Sequence, residues 1–298
     1  MTTVGKFEQT FPVNGAARLT LENVSGTINI RGDEGNTIRV TAVKQPGRGF
    51  DHTQVELTQA EDGAVRVATR YDSDVVGWLL GRRHHEPCRV DYEVWLPRQA
   101  ALRLNYVSGP ATVANLHGAL EVESVDGPLD LVDLGGTLAV KTVSGPVRAA
   151  GLALAAPLRA ETVSGPVEVA ASRLPGAHVE TVSGPVYLDS AAPTGDYDFH
   201  TVSGEVLLRL PAGTRGESHL HSLSGRLHSN LAARGPAESG VTVSVNSVSG
   251  PATIWAGEVS ADEPPAAAPT PPEDRLALLD RLARGELSVD EALKHLGR

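Results

Sequence analysis

The sequence predicts an all-β chain, a parallel β-solenoid of roughly 20-residue coils with a small C-terminal two-helix module. Three observations predict it. The motif Thr-Val-Ser-Gly-Pro-Val recurs along the chain, and from Gly109 to Gly225 its glycines return every 18 to 21 residues, a solenoid period. Apolar residues hold fixed phases relative to each of those glycines. With 31 Gly, 20 Pro and 4% aromatics in 298 residues, the core must be built from Val, Leu and Ala between many sharp turns.

The first copy lies at residues 17–30, and a gap of 83 residues separates its Gly26 from Gly109. Candidate strands at Thr37 to Val43, Gln54 to Leu57, Ala64 to Thr69 and Arg89 to Leu96 fall in the gap, with a loop from Tyr71 to Cys88. Residues 1–100 therefore read as a first coil with a sheet cap or insertion, because a solenoid must cover its open edge. The regular solenoid is expected over residues 101–258.

Within it, two and four residues after each glycine the chain is apolar, as at Val147 and Ala149 or Val167 and Val169. Two residues before each glycine stand Val107, Val125, Val143, Val163, Val182, Val202, Leu223 and Val248, which read as part of the same inward face. A second apolar set five residues before glycine (Leu104, Val122, Val140 and their equivalents) has the opposite parity, so the chain must bend near the Thr-Val step. The prolines after the glycines, Pro110 to Pro185, would break a ladder if they lay inside one, which puts Ser-Gly-Pro at or beside a corner. Asn115 to Gly118, Asp133 to Gly136 and Leu174 to Gly176 supply the opposite turns.

Residues 259–274 are a Pro/Ala linker. Residues 275–298 then read as a helical hairpin, with Leu276, Leu279, Leu282 and Leu287 at helical spacing and a capping box at Ser288 to Glu291 opening the helix that carries Leu293. So short a hairpin needs a partner surface, on its own chain, a second copy or another protein.

The segment Val90-Asp91-Tyr92-Glu93-Val94-Trp95-Leu96-Pro97, followed by Leu102-Arg103-Leu104-Asn105-Tyr106-Val107-Ser108-Gly109, resembles a bacterial adhesin-like family of unknown function related to head-GIN β-solenoid domains. The resemblance covers roughly residues 15–256. The stretch Leu278 to Leu293 is similar to the SHOCT-like helical modules that accompany such domains. The resemblance implies a non-enzymatic scaffold acting by protein contact, with a regulatory or stress-response role near the cell envelope, and it supplies no catalytic residues.

Composition narrows the function classes. A net charge of −10 and a pI near 5.5 offer no field for a phosphate backbone, so nucleic acid is not an expected partner, an anionic membrane surface is disfavoured, and membrane association is at most weak. One cysteine, Cys88, excludes an intrachain disulfide framework. The N-terminal residues lack an apolar signal-like core and no run reaches membrane-span length, which gives a cytoplasmic expectation.

Several side-chain groups are candidate sites. Four residues before the glycines runs a polar row that includes Glu123, Lys141, Glu161, Glu180, His200 and His221. In it Glu161 and Glu180 would stand about 5 Å apart, close to the carboxylate spacing of a retaining glycosidase, and this supports an alternative reading as a carbohydrate-binding or carbohydrate-cleaving protein. His200, His219 and His221 could converge as zinc ligands, while His84-His85-Glu86-Pro87-Cys88 matches no usual zinc spacing. Thr142, Thr162, Thr181 and Thr201 form a hydroxyl row, read as a ladder at a corner rather than a flat ice-binding face. The apolar run at Trp78, Leu79 and Leu80 and the tail leucines Leu279, Leu282 and Leu293 are the expected protein contacts, with self-association through the C-terminal helices as one form. No phosphate loop or nucleophile elbow is present, so no enzyme, cofactor or metal is expected.

Overall fold

The computed structural model describes residues 5–13, 15–47, 49–71, 88–233 and 240–257. Among these the chain is all β, with no helix, and its strands form two long sheets rich in parallel pairing. The region from Trp78 to Leu80 and the C-terminal linker and hairpin, with Leu279, Leu282 and Leu293, lie outside the described residues.

Each coil contributes one strand to each sheet. Leu158–Thr162 in the 13-stranded sheet turns through Val-Ser-Gly-Pro into Val167–Ser172 in the 12-stranded sheet, and the chain returns through a second turn to Ala177–Thr181. Successive coils pair in register: Leu158 faces Ala177, and Ala160 faces Val179. Equivalent positions therefore form rows along the stack, neighbouring strands being about 4.8 Å apart. The interior is a continuous core of small aliphatic side chains, with Tyr92, Tyr197 and Phe199 among its few aromatics.

The predicted parity break is present, but its two sides are assigned differently from expectation. Residues five and three before glycine, such as Ala160 and Thr162, point inward, as do glycine itself and the residues two and four after it. Val and Ser between them both point outward. The valines read as an inward row (Val107, Val125, Val143, Val163, Val182, Val202 and Val248) are instead 44 to 46% exposed, and Leu223 is 85% exposed. The threonines take the buried place, which no count of hydrophobicity would assign to them.

Glycine at this corner is required by backbone approach. A Cβ on Gly165 would lie 2.2 Å from the carbonyl oxygen of Gly145, and one on Gly184 would lie 2.2 Å from that of Gly165. Proline fits one residue later because its carbonyl carries the ladder: the Leu129 and Val147 amides donate to Pro146 and Pro166. At the opposite corner Asn115 and Asp133 take left-handed φ values of 57° and 52°, residue types that tolerate them, and the following Leu116 and Leu134 plug the core.

The ends depart from the simple stack. Arg18–Ser25 pairs in parallel with Ala101–Ser108, so the first coil abuts the coil that follows it 83 residues later, and the intervening strands lie beyond it. There Gly5–Pro12, Thr37–Lys44 and Val90–Pro97 pair antiparallel in series, as do Thr53–Gln59 and Val65–Tyr71. At the other end the order is permuted. Val241–Ser247 lies between Asp196–Thr201 and Arg215–Ser222, and Ala252–Ala256 lies between Val206–Leu210 and Leu227–Ser229.

In the first coil, Asn23 replaces the corner threonine. It accepts from the Thr69 hydroxyl at 2.9 Å, and Thr69 also meets the Tyr92 hydroxyl at 2.7 Å. Burial pushes the Tyr92 phenol up to about 12, partly offset by the bond to Thr69.

Two predictions follow from these packing details. Gly165→Ala should lower stability by about 3 kcal/mol, because the obstacle is backbone, whereas Gly47→Ala, with its nearest neighbour at 3.9 Å, should change it by less than about 0.5 kcal/mol; chemical denaturation reads both. Because the folded-state pKa of Tyr92 is raised, its contribution is intact below the ordinary value of 10.0 and is lost as pH rises through about 12. An alkaline titration should therefore show loss of β-sheet circular dichroism coinciding with ionisation of the last tyrosines, and a Tyr92→Phe variant should lose that part of the alkaline sensitivity.

Candidate functional site

The corner motif builds a groove along the solenoid. With threonine turned inward, its hydroxyl closes the bend by bonding twice to the glycine three residues on. Gly184 N–H donates to Thr181 Oγ1 at 3.0 Å, and Thr181 Oγ1 donates to the Gly184 carbonyl at 3.1 Å. Thr162 with Gly165 and Thr201 with Gly204 repeat the pair. The serines bond along the stack, Ser164 to the Val143 carbonyl and Ser183 to the Val163 carbonyl, both at 3.3 Å. With threonine and serine both satisfied by backbone, valine is left exposed beside serine at the corner with no polar role.

The valine row and the polar row four residues before glycine are the walls of one groove of about 1330 Å³, with the Thr/Ser row as its floor. From Val107 to Leu223 it crosses eight coils, a span of about 34 Å at one strand spacing per coil. One wall is therefore an unbroken apolar stripe. The other is polar and mixed, with its carboxylates at the centre: Glu123 and Glu161 alternate with Lys141, Glu180 is followed by His200, and Asn105, Asn246 and His221 stand toward the ends. Lys141 Nζ lies 2.9 Å from Glu161 Oε2, and this contact raises the lysine above its ordinary range. At one end of the floor the Tyr106 hydroxyl is buried next to Ser124, and burial pushes its phenol upward, partly offset by Ser124.

The structure tests the sequence candidates individually. Glu161 and Glu180 are neighbours in register, but each already has a partner, Lys141 for Glu161 and His178 for Glu180, and both are about half exposed. The expected trio His200, His219 and His221 is not brought together. Val241–Ser247 intervenes, placing Ser244 and Asn246 between Asp198 and His200 on one side and His219 and His221 on the other. Thr142, Thr162, Thr181 and Thr201 are buried at 5 to 6% exposure, a ladder at the corner and no surface array. Cys88 is buried, its amide donating to Thr53 Oγ1, while His84 to Pro87 lie outside the described residues. The exposed valine stripe was missed. The signal for it was the two-bond capacity of Thr at Thr-x-x-Gly, which outweighs the extra methyl of Val.

A stacked β-sheet frame carrying a continuous groove defines a binding scaffold, and this is the class to which fold and surface assign the chain. It belongs to the Toastrack DUF4097 family, whose profile matches residues 99–254. Among solved structures, a protein named a putative lipid binding protein from Parabacteroides distasonis is 12% identical with a TM-score of 0.51, over 84% of this chain and 97% of that one. A putative adhesin from the same organism is also 12% identical, with a TM-score of 0.42 over 84% and 97% of the two chains. A putative cell adhesion protein from Clostridium sporogenes is 11% identical, with a TM-score of 0.30 over 86% and 100%. At these identities the likeness is of fold alone. No curated protein matches the chain.

Removing the corner hydroxyl should cost more than altering the exposed valine beside it. Thr181→Val, which strands the Gly184 amide, should destabilise by about 1–3 kcal/mol, while Val182→Ser should stay within about 0.5 kcal/mol. The comparison is made by equilibrium unfolding of the two variants.

Proposed function

We propose that this protein is a non-enzymatic scaffold that binds another protein along the valine groove. The observation that carries the reading is the stripe itself: seven valines and one leucine, at equivalent corners of eight adjacent coils, all exposed. Apolar side chains aligned over about 34 Å exceed the scattered exposure normal for a soluble surface. Their repetition at each coil follows from the corner motif, so the stripe is as regular as the frame that presents it.

The two walls specify the partner's chemistry. A segment that fits would lay an apolar face on the valines and a basic edge beside Glu123, Glu161 and Glu180. An amphipathic helix meets both demands, since its apolar stripe runs along its axis and its flank can carry Lys or Arg. The carboxylates of the polar wall disfavour an anionic bilayer. The resemblance to envelope-associated relatives extends the proposal to a regulatory partner near the cell envelope.

A photo-crosslinking amino acid at position 163 or 182, in the full chain inside cells, should capture one defined polypeptide at a basic amphipathic segment. The same probe at position 148, on the outer face of the other sheet, should not. A synthetic peptide of that segment should bind the purified protein and lose at least about tenfold in affinity to Val143→Asp/Val163→Asp/Val182→Asp, three substitutions at exposed positions. Peptide binding unaffected by the triple variant, crosslinking to lipid alone, or saturable glycan binding in the groove would overturn the proposal.

A further inference from the structure

We infer that the outer face of the 13-stranded sheet carries a binding site for a divalent transition-metal ion of the zinc class, formed by His178, Asp198 and His200. Parallel register creates it. Ala177–Thr181 and Asp196–Thr201 pair so that His178 lies beside Asp198 and Glu180 beside His200, all four pointing outward. Alternate residues of one strand face the same way, so two neighbouring strands place four side chains at the corners of a square. The two histidines occupy one diagonal, with ring centroids 5.8 Å apart, and the two carboxylates occupy the other.

The distances suit a metal. Asp198 Oδ2 accepts from His200 Nε2 at 3.1 Å and lies 3.3 Å from His178 Nδ1, and one donor atom from each of the three residues falls within 4.8 Å of the others; an ion binding here displaces the His200 proton, as it does for any imidazole ligand. Ligands about 2.0–2.1 Å from a tetrahedral ion are themselves about 3.3–3.4 Å apart, so the 3.3 Å edge already has the length the ion requires and the 3.1 Å edge needs only a small opening. The three side chains are 36 to 46% exposed, which leaves a coordination position open to solvent or to a partner's side chain.

Glu180 supplies the second observation. Its Oε1 lies 2.9 Å from His178 Nε2, and a carboxylate only accepts, so this nitrogen carries the proton. In the neutral ring, Nδ1 is then a lone-pair donor turned toward the carboxylate of Asp198. Two electron-rich atoms at 3.3 Å need a cation or a proton between them. The arrangement is the carboxylate–histidine–metal relay found around bound zinc, with Glu180 as the positioning residue. Of the flanking strands, one places Arg159 beside His178 and Glu161 beside Glu180; the other places Ser244 and Asn246 beside Asp198 and His200. Arg159 is thus the cationic neighbour in register, set against Asp198 and Glu180 within the square and Glu161 beside it.

The site is tested on untagged, full-length protein stripped with chelator, titrated with Zn²⁺ by calorimetry and with Co²⁺ by visible absorption. The wild-type chain should bind one ion that His178→Ala and Asp198→Asn each remove, and that His219→Ala and His221→Ala leave in place. Glu180→Gln keeps the acceptor and removes the charge. It should weaken binding by about 10–100-fold while leaving the Co²⁺ band positions unchanged, whereas loss of a ligand changes them. The substituted side chains are exposed, and thermal unfolding without metal should match wild type. No saturable zinc binding by the wild-type chain, or binding equally strong in His178→Ala and Asp198→Asn, overturns the inference and identifies the cluster as ordinary surface ion pairs.

Discussion

Everything in this fold depends on how closely successive corners approach one another. The carbonyl oxygen of each motif glycine occupies the space where the next coil's Cβ would otherwise be, as between Gly145, Gly165 and Gly184. That contact excludes every other residue type at the position. Register then follows without further specification, because a strand shifted by one residue would place a side chain against the carbonyl. The interior can consequently be made of undemanding Val, Leu and Ala. The corner, and no jigsaw of aromatics, sets the alignment.

The groove is a consequence of the same corner. A bend made in this way must leave two consecutive side chains outside, and hydrogen bonding decides which. Threonine satisfies both polar groups of glycine from within, serine bonds to the coil before, and valine has no polar role to fill. The exposed apolar stripe is thus built by the architecture, and the residues four before glycine are free to vary against it. That division gives one uniformly apolar wall and one of varied polar residues along this surface.

Much of this was legible in the sequence, and the failures have identifiable causes. The period, the two sheets, the corner at Ser-Gly-Pro and the opposite turns at Asn115 and Asp133 were all accessible, because glycine, proline and alternation report backbone geometry directly. The valine row points outward because the bend falls after valine rather than before it, so valine follows the alternation of the preceding strand. The expected grouping of His200 with His219 and His221 fails for a different reason: it rests on consecutive copies of the repeat stacking on one another, and Val241–Ser247 comes between these two. Register brings His178 to Asp198 and His200 instead, a meeting across strands that carries no signature within either segment.

The permuted order of the last coils bears on how the chain reaches this structure during synthesis. Residues 215–229 leave the ribosome before residues 241–256, and at that moment the exposed edge at Asp196–Thr201 is open to them. Their motif fits it, since Ser222 and Gly225 match the corner positions of Thr201 and Gly204. In the finished molecule that edge is held by Val241–Ser247. Stacking therefore cannot proceed by adding each new coil to the last: the penultimate coil must wait, or dissociate, until the final one has slid beneath it. A scaffold whose equilibrium structure rests on nearest-neighbour contacts thus carries, at one end, a competition between early and late partners for the same edge.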